Sequence, residues 1–106
     1  MDKAKVLEII DRFRAVLEEN GIGIQRIVLY GSYAAGKERE GSDIDLVVIS
    51  DDFSCMDYWQ RIDMISDAIY KVFKPIEAMA MTSQEWRESR SIAVELARQG
   101  EVIFAA

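Results

Sequence analysis

The sequence predicts an α/β (α+β) fold, a small mixed β-sheet packed against helices. Three observations lead there. The chain has 106 residues, half of them hydrophobic, which suits one modest core and a single domain over residues 1–106. Stretches with apolar residues at helical spacing alternate with short β-branched runs, in the order helix, strand, strand, helix, strand, helix. Repeats, low-complexity tracts and linker-like segments are absent from the sequence.

Each element has its own signal. From Asp2 to Glu19, Val6, Ile9, Ile10, Phe13 and Leu17 recur at helical spacing beneath a charged outer face, and Asn20-Gly21 supplies a stop. Ile24 to Tyr30, IQRIVLY, reads as a strand ending at Gly31, with a short helix starting in SYAAG. Lys37 to Ser42 is a polar turn, and Asp43 to Ser50, DIDLVVIS, is the second strand, its later residues apolar enough for burial on both faces. Tyr58, Ile62, Ile65, Ile69, Val72 and Phe73 form a helical stripe within Asp57 to Phe73, which Pro75 closes off. Ile76 to Met81 is the third strand. Ser83 to Gln99 is helical, in one part or two, opened by Thr82 or Ser83 as a cap, and after Gly100 the residues EVIF form a short extended tail. Asp51-Asp52 serve as turn formers and caps, Met79 and Met81 fill core or interface, and Trp59 and Trp86 anchor packing.

Composition narrows the chemistry. A net charge of −6 argues against gripping a nucleic-acid backbone, which needs Lys and Arg to displace counterions. With no histidine and the single Cys55, His-dependent catalysis, the usual zinc sites and an internal disulfide are excluded. No apolar run is long enough to cross a bilayer and no signal-peptide pattern appears, so a cytoplasmic protein is expected.

What remains is chemistry on carboxylates, hydroxyls and a hard metal ion. Residues i and i+2 of a strand share a face, so Asp43 and Asp45 project together while Ile44 and Leu46 point into the core. Two like charges so placed suit Mg²⁺, which takes carboxylate oxygens and shares its other ligands with substrate phosphates. The Gly31-Ser32 turn lets a phosphate approach the backbone, with the amides of a following helix start and the Ser32 hydroxyl as donors. Glu77 is the candidate third acid, alternating out of a strand whose other face, Ile76, Ala78 and Ala80, reads as core.

GSYAAG, a short polar turn and then SDIDL closely resemble the signature of the polymerase-β nucleotidyltransferase superfamily, and the chain resembles its minimal members over nearly its whole length. The resemblance implies that Gly31 and Ser32 hold a nucleoside triphosphate, ATP, that Asp43 and Asp45 bind Mg²⁺, and that Glu77 is the third metal-site or catalytic carboxylate. It further implies AMP transfer to a hydroxyl, the acceptor being a small helical HEPN-type partner in a toxin–antitoxin pair. The alternative is a catalytically silent nucleotide-binding or antitoxin subunit that acts by occlusion. The chain departs from the family pattern twice: Ala35 stands where many members carry Arg, with Lys37 or Arg39 as substitute cations, and the third acid is Glu where Asp is usual.

Overall fold

The computed structural model describes residues 1–106. Helix α1 (Lys3–Glu19) leads into strand β1 (Arg26–Tyr30), the short helix α2 (Ser32–Ala35) and strand β2 (Ile44–Ile49). A 3-10 turn at Asp51–Cys55 precedes α3 (Tyr58–Val72), β3 (Ile76–Met81), α4 (Ser83–Glu88), α5 (Ile92–Arg98) and β4 (Glu101–Ala105). No helix is long and apolar enough to cross a membrane.

The first helix buries the five apolar residues that its spacing singles out, and Asn20 caps it before Gly21 turns the chain at φ 91°. Helix α3 opens with both bonds of a capping box between Asp57 and Gln60, a cap worth about 1 kcal/mol. Phe73 ends it in the left-handed region at φ 56°, so the helix stops two residues before Pro75. Its buried face is Ile65, Ala68 and Val72, whereas Tyr58 and Phe73, at its two ends, stand exposed.

The sheet runs β3-β2-β1-β4, with β1 antiparallel to both β2 and β4 and β2 parallel to β3. A parallel pair requires a crossover, and α3 supplies it. One face of the sheet carries Ile27, Leu29, Ile44, Leu46, Val48 and Ile76 into the main core beneath α1 and α3. The other face buries Val28, Val47 and Ile49 against Ala97 of α5, with Trp86, Met79 and Met81 packed around them. The middle of β2 is thus covered on both sides, as its unbroken apolar run predicts.

Three sequence-based expectations change and one left open is resolved. The first strand begins at Arg26, two residues later than IQRIVLY suggests, although Ile24 is buried beside it. The helical region after β3 is two helices, separated because Ser89 ends α4 and the Ser91 side chain caps α5. The EVIF tail is a full strand: β4 lies along β1 with a register shift between Ile27 and Val28. Trp59 is 70% exposed, stacked edge-on to Tyr58 with ring centroids 5.1 Å apart, so only Trp86 anchors packing. The paired acids Asp51 and Asp52 do tie turns together: Asp51 accepts from the Ser83 N–H at 2.9 Å and Asp52 from the Gly23 N–H at 2.6 Å.

Candidate active site

Strand register builds the site. Asp45 lies opposite Tyr30 across the antiparallel ladder and opposite Glu77 across the parallel one. Laterally paired residues share a face, so Tyr30, Asp45 and Glu77 form one row over three adjacent strands. The face is the one that α4 and α5 cover around Val47, Ile49 and Met81, nearer the C-terminal ends of β2 and β3. At the opposite ends of those strands Asp45 stays half-buried and Glu77 exposed.

Asp43 stands differently from the sequence expectation. Ladder pairing begins at Ile44, whose N–H donates to the Pro75 carbonyl at 2.8 Å, so Asp43 is an exposed residue one position before the strand. No group of three acids converges tightly enough to enclose an ion. The structure brings Asp45 and Glu77 together and leaves Asp43 at the rim.

Gly31 joins the glycine-serine turn to this row. Its backbone, at φ 74° and ψ −152°, occupies a region open essentially to glycine alone. A Cβ there would run into the Asp45 carboxylate, with its Cγ only 3.1 Å away. Glycine is therefore required both by the turn and by the close approach of the acid. Helix α2 starts at Ser32 without any side-chain cap, so its first amides have no partner from Gly31. Ser32 is half-buried, and Ala35, Lys37 and Arg39 are exposed, with neither cation in an ion pair.

The electrostatics of the row are one-sided. Burial pushes the Asp45 carboxyl above the usual range, and Glu77 and then Asp43 add to the effect. The Tyr30 phenol is likewise pushed up, by burial first and then by Asp45 and Glu77. None of the seven ion pairs in the protein involves Asp43, Asp45 or Glu77. Hard oxygen donors lacking a counter-cation are a donor set that fits a divalent ion such as Mg²⁺. Tyr30 was not among the residues singled out from sequence, since its place in the row depends on a pairing register that spacing does not reveal. Its position directly before Gly31 was the one available signal.

A four-stranded sheet with an unpaired acidic row beside a glycine-serine turn is the arrangement of a nucleotidyltransferase. The model of the family described as Polymerase beta, Nucleotidyltransferase matches residues 12–106, and the chain belongs to that family. Its fold is similar to that of a nucleotidyltransferase candidate from Sulfolobus solfataricus, at a TM-score of 0.72 and 14% identity over 96% of this chain and 82% of that one. It is also similar to a chain from a toxin–antitoxin structure with AMP-PNP (TM-score 0.66, 21% identity, 91% of this chain and 73% of that one). A third likeness is to a chain from the tri-AMPylated Shewanella oneidensis HEPN toxin in complex with MNT antitoxin (TM-score 0.63, 18% identity, 95% and 73%). No curated protein matches the chain.

Proposed function

We propose that this nucleotidyltransferase moves AMP from ATP to a hydroxyl on a partner protein, a small helical HEPN-type chain, as the antitoxin of a cytoplasmic toxin–antitoxin pair. The observation that carries the reading is the row Tyr30, Asp45, Glu77 with Gly31 packed beneath Asp45 and neither acid in an ion pair. The partner class is supported by the similar chains from toxin–antitoxin structures, one of them with AMP-PNP and another with an AMPylated HEPN toxin.

In this reading Gly31 gives the triphosphate access to the backbone, and the Ser32 hydroxyl and the first amides of α2 donate to its oxygens. Asp45 and Glu77, with Asp43 at the rim, hold Mg²⁺, which supplies charge stabilisation for the phosphoryl group and its leaving oxygen. Glu77, the most exposed acid of the row, faces an incoming acceptor and accepts the proton of its hydroxyl. The hydroxyl oxygen bonds to the α-phosphorus, the bond to the bridging oxygen breaks, and pyrophosphate leaves with the electron pair.

The experiment is incubation of the chain and its helical partner with α-labelled ATP and Mg²⁺. Label on a partner hydroxyl, lost with Asp45→Asn and reduced roughly 10²-fold or more with Glu77→Gln, is the expected result. The silent-subunit alternative rests on Ala35, which stands exposed where many members of the family carry Arg. An unlabelled partner that the Asp45→Asn variant inhibits as well as the parent chain does would establish that alternative.

A further inference from the structure

Strand β3 holds Glu77 and is an edge of the sheet, pairing with β2 alone. The Pro75 and Met81 carbonyls accept from Ile44 and Ser50 of the neighbouring strand, so the odd-numbered residues of β3 turn their polar backbone groups towards β2. Those of Ile76, Ala78 and Ala80 consequently face outward. The Ile76 N–H is used by the Lys74 carbonyl at 2.8 Å, and the Ala80 carbonyl accepts from Arg61 at 3.4 Å. The Ile76 carbonyl, both groups of Ala78 and the Ala80 N–H are left with no strand partner. A groove of about 710 Å³ runs along this edge, walled by Ile62 and Ser66 of α3 on one side and by Ser89 and Val94 on the other.

We propose that this edge is where the acceptor docks, as an extended, basic, hydroxyl-bearing segment added to the sheet beside β3. The naming of the occupant as an acceptor rests on the transferase reading above. Three features select it. Added strands gain affinity from main-chain hydrogen bonds and specificity from alternate side chains, and the unpaired groups at Ile76–Ala80 are of that kind. Arg61 blunts one end only, where it pairs with Glu85 at 2.7 Å, so the open stretch is the one leading to Glu77. A residue of the added strand opposite Glu77 projects its side chain onto the face that carries Asp45, one strand spacing away from Glu77. That places a hydroxyl over the row without moving any element of this chain.

Charge selects the sign of the occupant. The groove is lined at this end by Glu77, with Asp45 beside it on the next strand and neither acid in an ion pair, and a triphosphate brings further negative charge. A second copy would bring its own net −6 and its own Glu77 to the shared edge, which is repulsive. A segment with Lys or Arg flanking its hydroxyl is the complementary partner.

The test uses a blocked peptide of alternating lysine and valine with one central serine, and a twin with glutamate for lysine. Amide hydrogen exchange of the whole chain is followed with neither nucleotide nor metal present. The lysine peptide is expected to slow exchange at Ala78 and Ala80, and the glutamate twin to leave it unchanged. Ala78→Pro removes an outward N–H of the edge strand, and Ser66→Trp fills the groove from an exposed position on α3. Both variants should bind the lysine peptide roughly tenfold or more weakly while taking up Mg–ATP as the parent does. Unchanged exchange at Ala78 and Ala80, equal response to both peptides, or protection that grows with protein concentration alone would overturn the proposal. Because the exchange assay needs no nucleotide, a flat Mg–ATP titration of the parent chain would count against the transferase reading and not against the edge.

Discussion

Asp45 shows how one side chain can work against stability. Its carboxyl is held above the usual range by burial, then by Glu77 and Asp43. The folded protein therefore binds that proton more readily than the unfolded chain, and stability falls as pH rises from the unfolded value through the folded one. Asp45→Asn removes the ionisation, so its melting temperature should exceed the parent's at neutral pH with divalent ions chelated. The difference should vanish below the ordinary aspartate range. Calorimetric scans in which the variant melts no higher at neutral pH would mean that the carboxylate makes a stabilising contact instead. That Asp45 and Glu77 stand on strands and Gly31 in the turn after β1 was legible in the sequence, because apolar runs bounded by turn residues mark strands and a glycine after such a run marks a turn. Asp43 was placed one step too far into the strand, because two-residue periodicity says nothing about where ladder bonds begin. Tyr30 stayed hidden because a cross-strand neighbour is a property of register.

The turn from β3 into α4 depends on a shared carboxylate. Glu85 accepts from the Thr82 N–H at 2.8 Å to complete a capping box and from Arg61 of α3 at 2.7 Å. The Arg61 hydrogen bond is the main reason that its carboxyl lies below the ordinary range. A depressed acid contributes stability above the unfolded value and loses it as pH falls through the folded one. Glu85→Gln should thus cost on the order of 1 kcal/mol near neutrality, since the pair is partly screened by solvent. Urea titrations at several pH values should find the gap closing in acid. Most elements could be read in advance because helical periodicity is strong in α1 and α3, and β2 and β3 are short apolar runs bounded by turn residues. The break between α4 and α5 was left open because serine suits a cap and an exposed helical position alike. EVIF was too short to declare itself a strand, and pairing with β1, seventy-odd residues away, makes it one.

For the whole molecule, β4 decides whether the central antiparallel pair has an open flank. It covers the side of β1 away from β2, sends Ile103 and Phe104 towards the main core and ties Glu101 to Lys3 at 2.9 Å. Deleting residues 101–106 should leave β1 as a long apolar edge, and light scattering should detect association that the parent does not undergo. A monomeric truncated chain of parental stability would assign β4 a peripheral part. The strand order has a further effect on how the protein is made. As the polypeptide emerges from the ribosome, β1 appears early and its second neighbour only with residues 101–105. Until then the nascent chain presents β1 with one side unpaired, and the contact that closes it spans most of the chain, which makes it a slow step. In the cell, the interval between translation of Tyr30 and of Glu101 is therefore the period in which this protein is most exposed to chaperones and to wrong strand partners.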